Sequence, residues 1–450
     1  MKTVEEGKAA IQLPEDVFYN NVQEFNRDLS IAVISEFQKE YLAKRQADGL
    51  VILEGLSATG LRAIRYAKEI GNVQQVCAND LDPAAFNLIN KNIEQNGVGG
   101  KVVGANEDVG LLMATRKDTF DVIDLDPYGS AAPFIEGAVQ SVRDGGLLCV
   151  TCTDGAVLCG KNPETAFARY GGTSFRTPFS HEMGIRLVLS SLSTAAGRHK
   201  KAIVPLLSLA IDFYVRVFVV VVSSPKKAKE SALNTGPVFY CPSCTSFSLQ
   251  THCYANQDRK GLIECSRQPC GDSCSICQTR YRLCGPVWQG RLHDKGFLSG
   301  MDTQNSTLGT KKRIAGMVAL ALEELDTPFF VSMPKLSGIL SCTTPSTNDF
   351  RCAILNAGEY RVSSTHTEPY GVKTDAPFDV IWSIMRAHVA LHPTKKVTEL
   401  HRKIFSGLPP MEISFEKRDD AVSDAKRRKL VRYQANPEEN WGPKPRAGRH

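Results

Sequence analysis

The sequence lacks a long apolar run. Its longest uninterrupted stretch, Val217 to Val222, begins just after Arg216 and falls far short of the roughly 20 residues that a membrane-spanning helix needs. It also lacks an excess of one charge. Lys and Arg number 54 against 48 Asp and Glu, a net charge of +6 over 450 residues. That balance permits a nucleic-acid partner without demanding one. The opening MKTVEEGKAAIQLPED has no apolar signal region and is not an Arg-rich, acid-poor transit peptide, so the cytosol is the expected starting compartment. Without a secretory leader, the 14 cysteines do not suggest disulfides.

What is present is an ordinary globular composition, with 42% apolar and 23% charged residues. The length exceeds one usual core, which predicts two domains. Residues 50–222 alternate short apolar runs with helical patterns. LVILEG (50–55), QQVCAND (74–80), KVVGAN (101–106), DVIDLD (121–126) and LLCVTCT (147–153) read as buried strands. LRAIRYAKEI (61–70) and AAFNLINKNIEQNG (84–97) carry helical spacing between them. This alternation predicts an α/β fold with a mostly parallel sheet. AIVPLLSLA (202–210) and FYVRVFVVVV (213–222) are candidate edge strands. The expected division is a catalytic domain over 1–222, a polar linker over 223–235, an α+β domain over 236–415, and a basic, largely irregular tail over 416–450.

VILEGLSATGLRAIRYAKE reads as strand, glycine loop, helix. Gly55 and Gly60 permit a tight turn and close ligand approach, and the helix start offers N–H groups. No Lys-Ser/Thr follows Gly60, and the Gly-x-Gly-x-x-Gly spacing is absent, so neither an ATP-type phosphate loop nor a dinucleotide site is indicated. Glu54 ends the strand just before the loop, where an acid suits a ligand with a cationic amino acid part. Asp80, 20 residues after Gly60, stands where a carboxylate can accept both ribose hydroxyls of an adenosine. Asp108, after the third strand, is placed for the adenine amine. Acids in this order at successive strand ends form the pattern of an S-adenosylmethionine site. The fold class expected is therefore a Rossmann-like class I methyltransferase domain.

DLDPYG closes the fourth strand beside that site. Asp/Asn-Pro-aromatic sequences there mark methyltransferases acting on amino groups of planar bases. Such an amine is a poor nucleophile because its lone pair is conjugated into the ring. It must be positioned, and it needs a group that takes up charge as the methyl arrives. Asp126 fits that role, the Pro127 carbonyl is a second acceptor, and Tyr128 offers a face for stacking. Asp124, one step inside the strand, is the alternative to Asp126.

Eight cysteines lie between Cys241 and Cys284. Cys241-x-x-Cys244 and Cys274-x-x-Cys277 are two knuckles, and four thiolates close a tetrahedral zinc without an open position. A structural Zn2+ site is expected, with Cys253, Cys265, Cys270 and Cys284 as rival ligands. Lys311, Lys312 and Arg313 read as phosphate contacts or as a solvated run. KRRK at 426–429 reads as a nuclear-import signal or as solvated charge.

These motifs have a counterpart. VFYNNVQEFNRDLS (17–30), LEGLSATGLRAIRYA (53–67), ANDLDP (78–83), FDVIDLDPYGS (120–130), GGLLCVTCTD (145–154), HEMGIRLVL (181–189), PLLSLAIDFYVRVFV (205–219), VKTDAP (372–377) and YQANPEENWGPKPRA (433–447) resemble the tRNA guanine-26 N2-dimethyltransferase family, the last its eukaryotic members in particular. The resemblance implies methyl transfer from S-adenosylmethionine to the N2 amine of guanosine 26 in tRNA, once and then twice, giving N2,N2-dimethylguanosine. It implies that Arg27 and Arg62 contact the donor's carboxylate, and that Phe18 walls the guanine pocket opposite Tyr128. It favours the two knuckles as zinc ligands and a tRNA-binding role for the second domain. Position 26 lies where two stems of the tRNA meet, so the base must swing out. The expected partner is tRNA containing G26. No membrane and no obligatory protein partner are expected. The nucleus is the expected location, with the cytosol and mitochondrion as alternatives. The competing readings are an amino-methyltransferase acting on another base in RNA or DNA, and a non-catalytic RNA-binding protein on a degenerate fold. The FYN and FNRD segment speaks against the first, and the intact Glu54, Asp80 and Asp126 against the second.

Overall fold

The computed structural model describes residues 2–14, 19–256, 261–267, 271–303, 307–394, 396–431 and 433. An antiparallel hairpin, β1 (Lys2–Glu6) and β2 (Ala9–Leu13), leads to a 22-residue helix, α1 (Glu24–Arg45). Strands and helices then alternate: β3 (Leu50–Glu54), α2 (Leu61–Glu69), β4 (Val73–Asn79), α3 (Pro83–Gln95), β5 (Val102–Ala105), α4 (Val109–Thr115), β6 (Phe120–Leu125), α5 (Ile135–Ser141) and β7 (Val142–Cys152). Three helices follow, α6 (Gly155–Leu158), α7 (Pro163–Tyr170) and α8 (Ser180–Arg198), and then β8 (Lys201–Ile211) and β9 (Tyr214–Ser223).

The strands β3 to β9 form one sheet in the order β5-β4-β3-β6-β7-β9-β8. The first five are parallel, and β9 runs antiparallel to both β7 and β8. Helices cover both faces, which explains apolar runs instead of alternation. Ile52 and Val122 enter one apolar cluster with α1 and α2, whereas Leu53 and Ile123 enter a second with α5 and α8. Strand order reverses between β3 and β6, and ligands of open α/β sheets bind at the carboxyl strand ends at such a point. The hairpin β1–β2 is tied to α3, where Asn92 and Asn96 accept from the N–H groups of Gln12 and Ala10 at 2.8 and 3.1 Å.

The polar break after β9 is helical, α9 (Pro225–Glu230), because Ser224 caps it and Pro225 starts it. Beyond it come β10 (Thr235–Tyr240), β11 (Phe247–Leu249), β12 (Cys253–Ala255), β13 (Ile263–Cys265) and β14 (Arg282–Trp288), with one sheet in the order β11-β10-β14. Next are α10 (Lys295–Gly300), α11 (Lys311–Glu323), β15 (Val331–Ser332), α12 (Met333–Leu340), α13 (Thr347–Asn356), β16 (Val362–Ser364), β17 (Gly371–Thr374) and α14 (Phe378–Leu391). A third cluster joins Leu336, Phe350, Ile354 and Trp382 to the four knuckle cysteines. Leu298, Ile314 and Met317 of α10, α11 and their junction instead join the first cluster with Phe25 and Leu29 of α1. Among the described residues no helix is long and apolar enough to cross a membrane.

Candidate active site

The ends of β3, β4 and β6 converge at the switch point. Gly55 donates its N–H to the Asp124 carbonyl at 3.0 Å. A Cβ there would meet Val109 Cγ2 at 2.9 Å and Leu125 Cδ2 at 3.0 Å, so only glycine fits. Gly60 starts α2 at φ +77°. Glu54 is buried and accepts from Ser57 Oγ at 2.7 Å and the Ala63 N–H at 3.0 Å. Burial pushes its carboxyl up to about 8, even with Arg62 nearby. A cationic ligand group beside it would favour its charged form and bring that value down. Half-buried Asp80 accepts from the Ala58 and Asp82 N–H groups at 2.8 and 3.1 Å. Exposed Asp108 caps α4 through the Leu111 N–H at 2.9 Å. Sequence reading missed Asn79. Its amide donates to the carbonyls of Gly55 and Glu107, each at 3.0 Å, and so ties the strand ends together.

The two candidate acids at the end of β6 separate clearly. Asp124 is buried and saturated: Arg216 donates twice, at 2.9 and 2.7 Å, and the Tyr66 hydroxyl donates at 2.5 Å. Burial alone would raise this carboxyl, but Arg216 and Arg62 hold it below its ordinary value. It is a structural anion. Asp126, its side chain 21% exposed, pairs with Arg62 alone among the ion pairs at this site. The turn beyond it is pinned to β7. Gly129, at φ +91°, donates to Thr153 Oγ1, and its carbonyl accepts from the Thr153 N–H, both at 2.8 Å. Tyr128 stands 73% exposed at the tip.

Arg27 and Arg62 come to the same region. Arg27 is buried, donates to Glu6 at 2.6 Å and lies 5.4 Å from the Tyr19 ring centre. Glu6, from the N-terminal hairpin, was invisible as a site partner in the sequence. Its carboxyl is held at about 2: burial alone would raise it, but Arg27 outweighs that. Arg62 is buried against Asp126, Asp124 at 3.6 Å and Glu54 at 3.7 Å. Phe18 lies outside the described residues.

Cys241, Cys244, Cys274 and Cys277 are all buried, with their sulfurs within 4.8 Å of one another. Cys241 and Cys277 are 3.4 Å apart, and Cys244 and Cys274 are 3.5 Å apart. A tetrahedron with Zn–S arms of about 2.3 Å has edges of about 3.8 Å, so the cradle fits zinc. Trp382 donates to Ser246 Oγ at 3.2 Å, beside Cys244, and braces one knuckle. Cys253 and Cys265 pair with each other across β12–β13 instead, and Cys284 lies in the second apolar cluster. Cys270 falls outside the described residues. Lys311 and Lys312 are exposed. Arg313 departs from the expectation. It is buried, bonded to Asp212 at 2.9 Å and set over the Phe25 ring at 4.4 Å, so it braces the β8–β9 turn.

A second group, His293, Glu324 and His366, is also buried. His366 and Glu324 in it are committed to other partners. The Ala210 N–H points at His366 Nε2, at 3.2 Å, which puts the proton on Nδ1, and Nδ1 donates to Glu324 at 2.7 Å. The other Glu324 oxygen takes Lys373 Nζ at 2.9 Å. His293 Nε2 lies 3.5 Å from Glu324 and has no hydrogen-bond partner among the described residues.

A parallel sheet of this order, with acid, glycine loop and acids at its switch point, defines a Rossmann-like methyltransferase that takes S-adenosylmethionine. The particular family follows from comparison. A family model described as N2,N2-dimethylguanosine tRNA methyltransferase matches residues 1–386, and the chain belongs to that family. The tRNA (guanine(26)-N(2))-dimethyltransferase of Schizosaccharomyces pombe is 40% identical over 99% of this chain and 92% of its own length. The Homo sapiens protein of the same description is 39% identical over 99% of this chain and 77% of its own. The structure of Trm1 from Pyrococcus horikoshii with S-adenosyl-L-methionine superposes with a TM-score of 0.73 at 29% identity, covering 85% of this chain and 99% of that one.

Proposed function

We propose that this chain transfers methyl groups from S-adenosylmethionine to the N2 amine of guanosine 26 in tRNA, giving N2-methyl- and then N2,N2-dimethylguanosine. The observation that carries the chemistry is the contrast at the end of β6: Asp124 is saturated, whereas Asp126 is partly open beside an exposed Tyr128. S-adenosylmethionine supplies an electrophilic methyl on a sulfonium. Glu54 faces the donor's cationic amino acid part, Asp80 its ribose and Asp108 its adenine. Arg27 and Arg62 serve its carboxylate. Asp126 accepts a hydrogen bond from the N2 amine and takes its proton as the N–C bond forms, while the methyl–sulfur bond breaks and the donor leaves as a neutral thioether. The Pro127 carbonyl accepts from the amine's second hydrogen in the first transfer. Tyr128 and Phe18 hold the base between two rings. Positioning supplies most of the rate, because the amine is a weak nucleophile.

Zn2+ bound by the four knuckle cysteines has a structural role in this reading. The unit around it contacts tRNA, with exposed Lys311 and Lys312 as phosphate contacts. The exposed run Lys426 to Lys429 directs the protein to the nucleus. A tagged Arg427→Ala/Arg428→Ala protein is expected to leave the nucleus, and one that stays would remove that assignment. The main test uses purified protein, labelled S-adenosylmethionine and transcripts with G26 or A26. N2,N2-dimethylguanosine is expected from the first alone. Label in neither transcript rejects the reading.

A further inference from the structure

A cleft of about 680 Å3 adjoins the acceptor turn. Its walls include Cys152 and Thr153 at the end of β7, Asp212 and Tyr214 at the β8–β9 turn, and Arg313 and Glu368 from beyond residue 222. Thr153 is the residue that holds Gly129 by both N–H and carbonyl. The cleft wall and the Asp126–Tyr128 turn are therefore one piece of structure.

Tyr214 is the exception among the buried tyrosines around this sheet. The hydroxyls of Tyr41, Tyr66 and Tyr170 each reach a carboxylate, at 2.9, 2.5 and 2.8 Å. Tyr214 is only 4% exposed, and its hydroxyl has no hydrogen-bond partner among the described residues. Buried hydroxyls normally find one. The residue's backbone is held in place. It sits at the first position of β9, paired with Ile211 across a two-residue turn that Arg313 grips through Asp212. Burial raises the phenol above its ordinary value and outweighs the opposing charge of Arg313. It keeps its proton.

We propose that Tyr214 is a specificity-determining residue, whose hydroxyl donates to O6 of the flipped guanine while the N2 amine of the same base faces Asp126. This rests on the reading of the chain as a guanine N2-methyltransferase. O6 and N2 flank N1 on one edge of guanine, so a donor on the cleft wall and an acceptor on the turn that Thr153 ties to that wall can read both. Adenine presents an amine donor in place of O6, so the phenol hydrogen finds no acceptor there, and adenine has no N2 amine to face Asp126. A buried donor with no partner in the free protein becomes satisfied only with the correct base.

The test uses the full chain, S-adenosylmethionine and ligated tRNAs carrying guanine or 6-thioguanine at position 26. The thio base keeps N1–H and the N2 amine and weakens only the O6 acceptor. The wild type is expected to favour guanine about tenfold in kcat/KM, the effect of one hydrogen bond. Tyr214→Phe is expected to lose about tenfold on guanine and little on 6-thioguanine, so the preference collapses toward one. Its affinity for S-adenosylmethionine, read by calorimetry, is expected to stay unchanged. A Tyr214→Phe protein that keeps the wild-type preference overturns the proposal, whatever its absolute rate. So does a wild type that treats the two bases alike, a result that needs no variant. No product from wild type on guanine would overturn the parent reading, and this one with it.

Discussion

Two of the buried clusters of acids and bases among the described residues differ in what they leave open. At the strand ends, Glu54, Asp124 and Asp126 surround Arg62, with Arg216 on Asp124. At the junction between β8 and the segment beyond residue 222, Glu182 and Glu324 surround Lys373, with His293 and His366 against Glu324. The residue types are similar. The junction commits its carboxylates to protein partners: His366 is held between Ala210 and Glu324, and both Glu324 oxygens are taken. The strand-end cluster keeps an accessible acid and a carboxyl that burial holds up near 8. Partner count and access, more than residue identity, separate a site from a brace.

The sharpest break of that comparison is Asp126→Ala. Methyl transfer is expected to fall by about 10²–10⁴-fold, while calorimetry still detects S-adenosylmethionine binding. Full activity in that variant would cancel the assigned role. Cys241→Ser is expected to lose zinc by elemental analysis and about 4 kcal/mol of stability. Unchanged zinc content would reject that ligand.

Glu324→Gln tests the brace. It leaves Lys373 poorly compensated and is expected to destabilise the fold by about 3–5 kcal/mol in urea, with donor affinity unchanged. A large loss of donor affinity in a folded variant would mean that the two clusters are coupled. Acid acts on this cluster too. Burial holds the His293 imidazole below its ordinary value, so its contribution is present above that value and is lost as pH falls through the folded one.

The smallest effect concerns Glu54. Its carboxyl rises from the ordinary 4.5 to about 8 on folding. The contribution is therefore present below 4.5 and is lost as pH rises toward 8. Glu54→Gln is expected to flatten that slope of stability between pH 4.5 and 8, and to weaken S-adenosylmethionine binding about tenfold. Parallel pH-stability curves for the two proteins would show that Glu54 is charged in the free fold.

Much of the frame was legible. The strands of the sheet and helices α2 and α3 lie within a few residues of their sequence assignments, because doubly covered strands and amphipathic helices leave local patterns. Helix α1 was not read. Asn26, Arg27, Asp28 and Ser30 are all buried along it and mask its apolar face. The hairpin β1–β2 was missed because its partners, Asn92 and Asn96, lie some eighty residues away.

Local patterns alone carried the order of acids and glycines at strand ends, the Asp-Pro-Tyr-Gly turn and the spacing of the two cysteine knuckles. These are local facts of strand period, turn chemistry and ligand spacing. Only the tertiary structure decided that Asp124 is spent and Asp126 is open, that Arg313 is a brace and not a surface charge, that Glu6 backs Arg27, and that Tyr214 faces a cleft without a partner. Each of those depends on burial and on partners from distant parts of the chain, which no local pattern encodes.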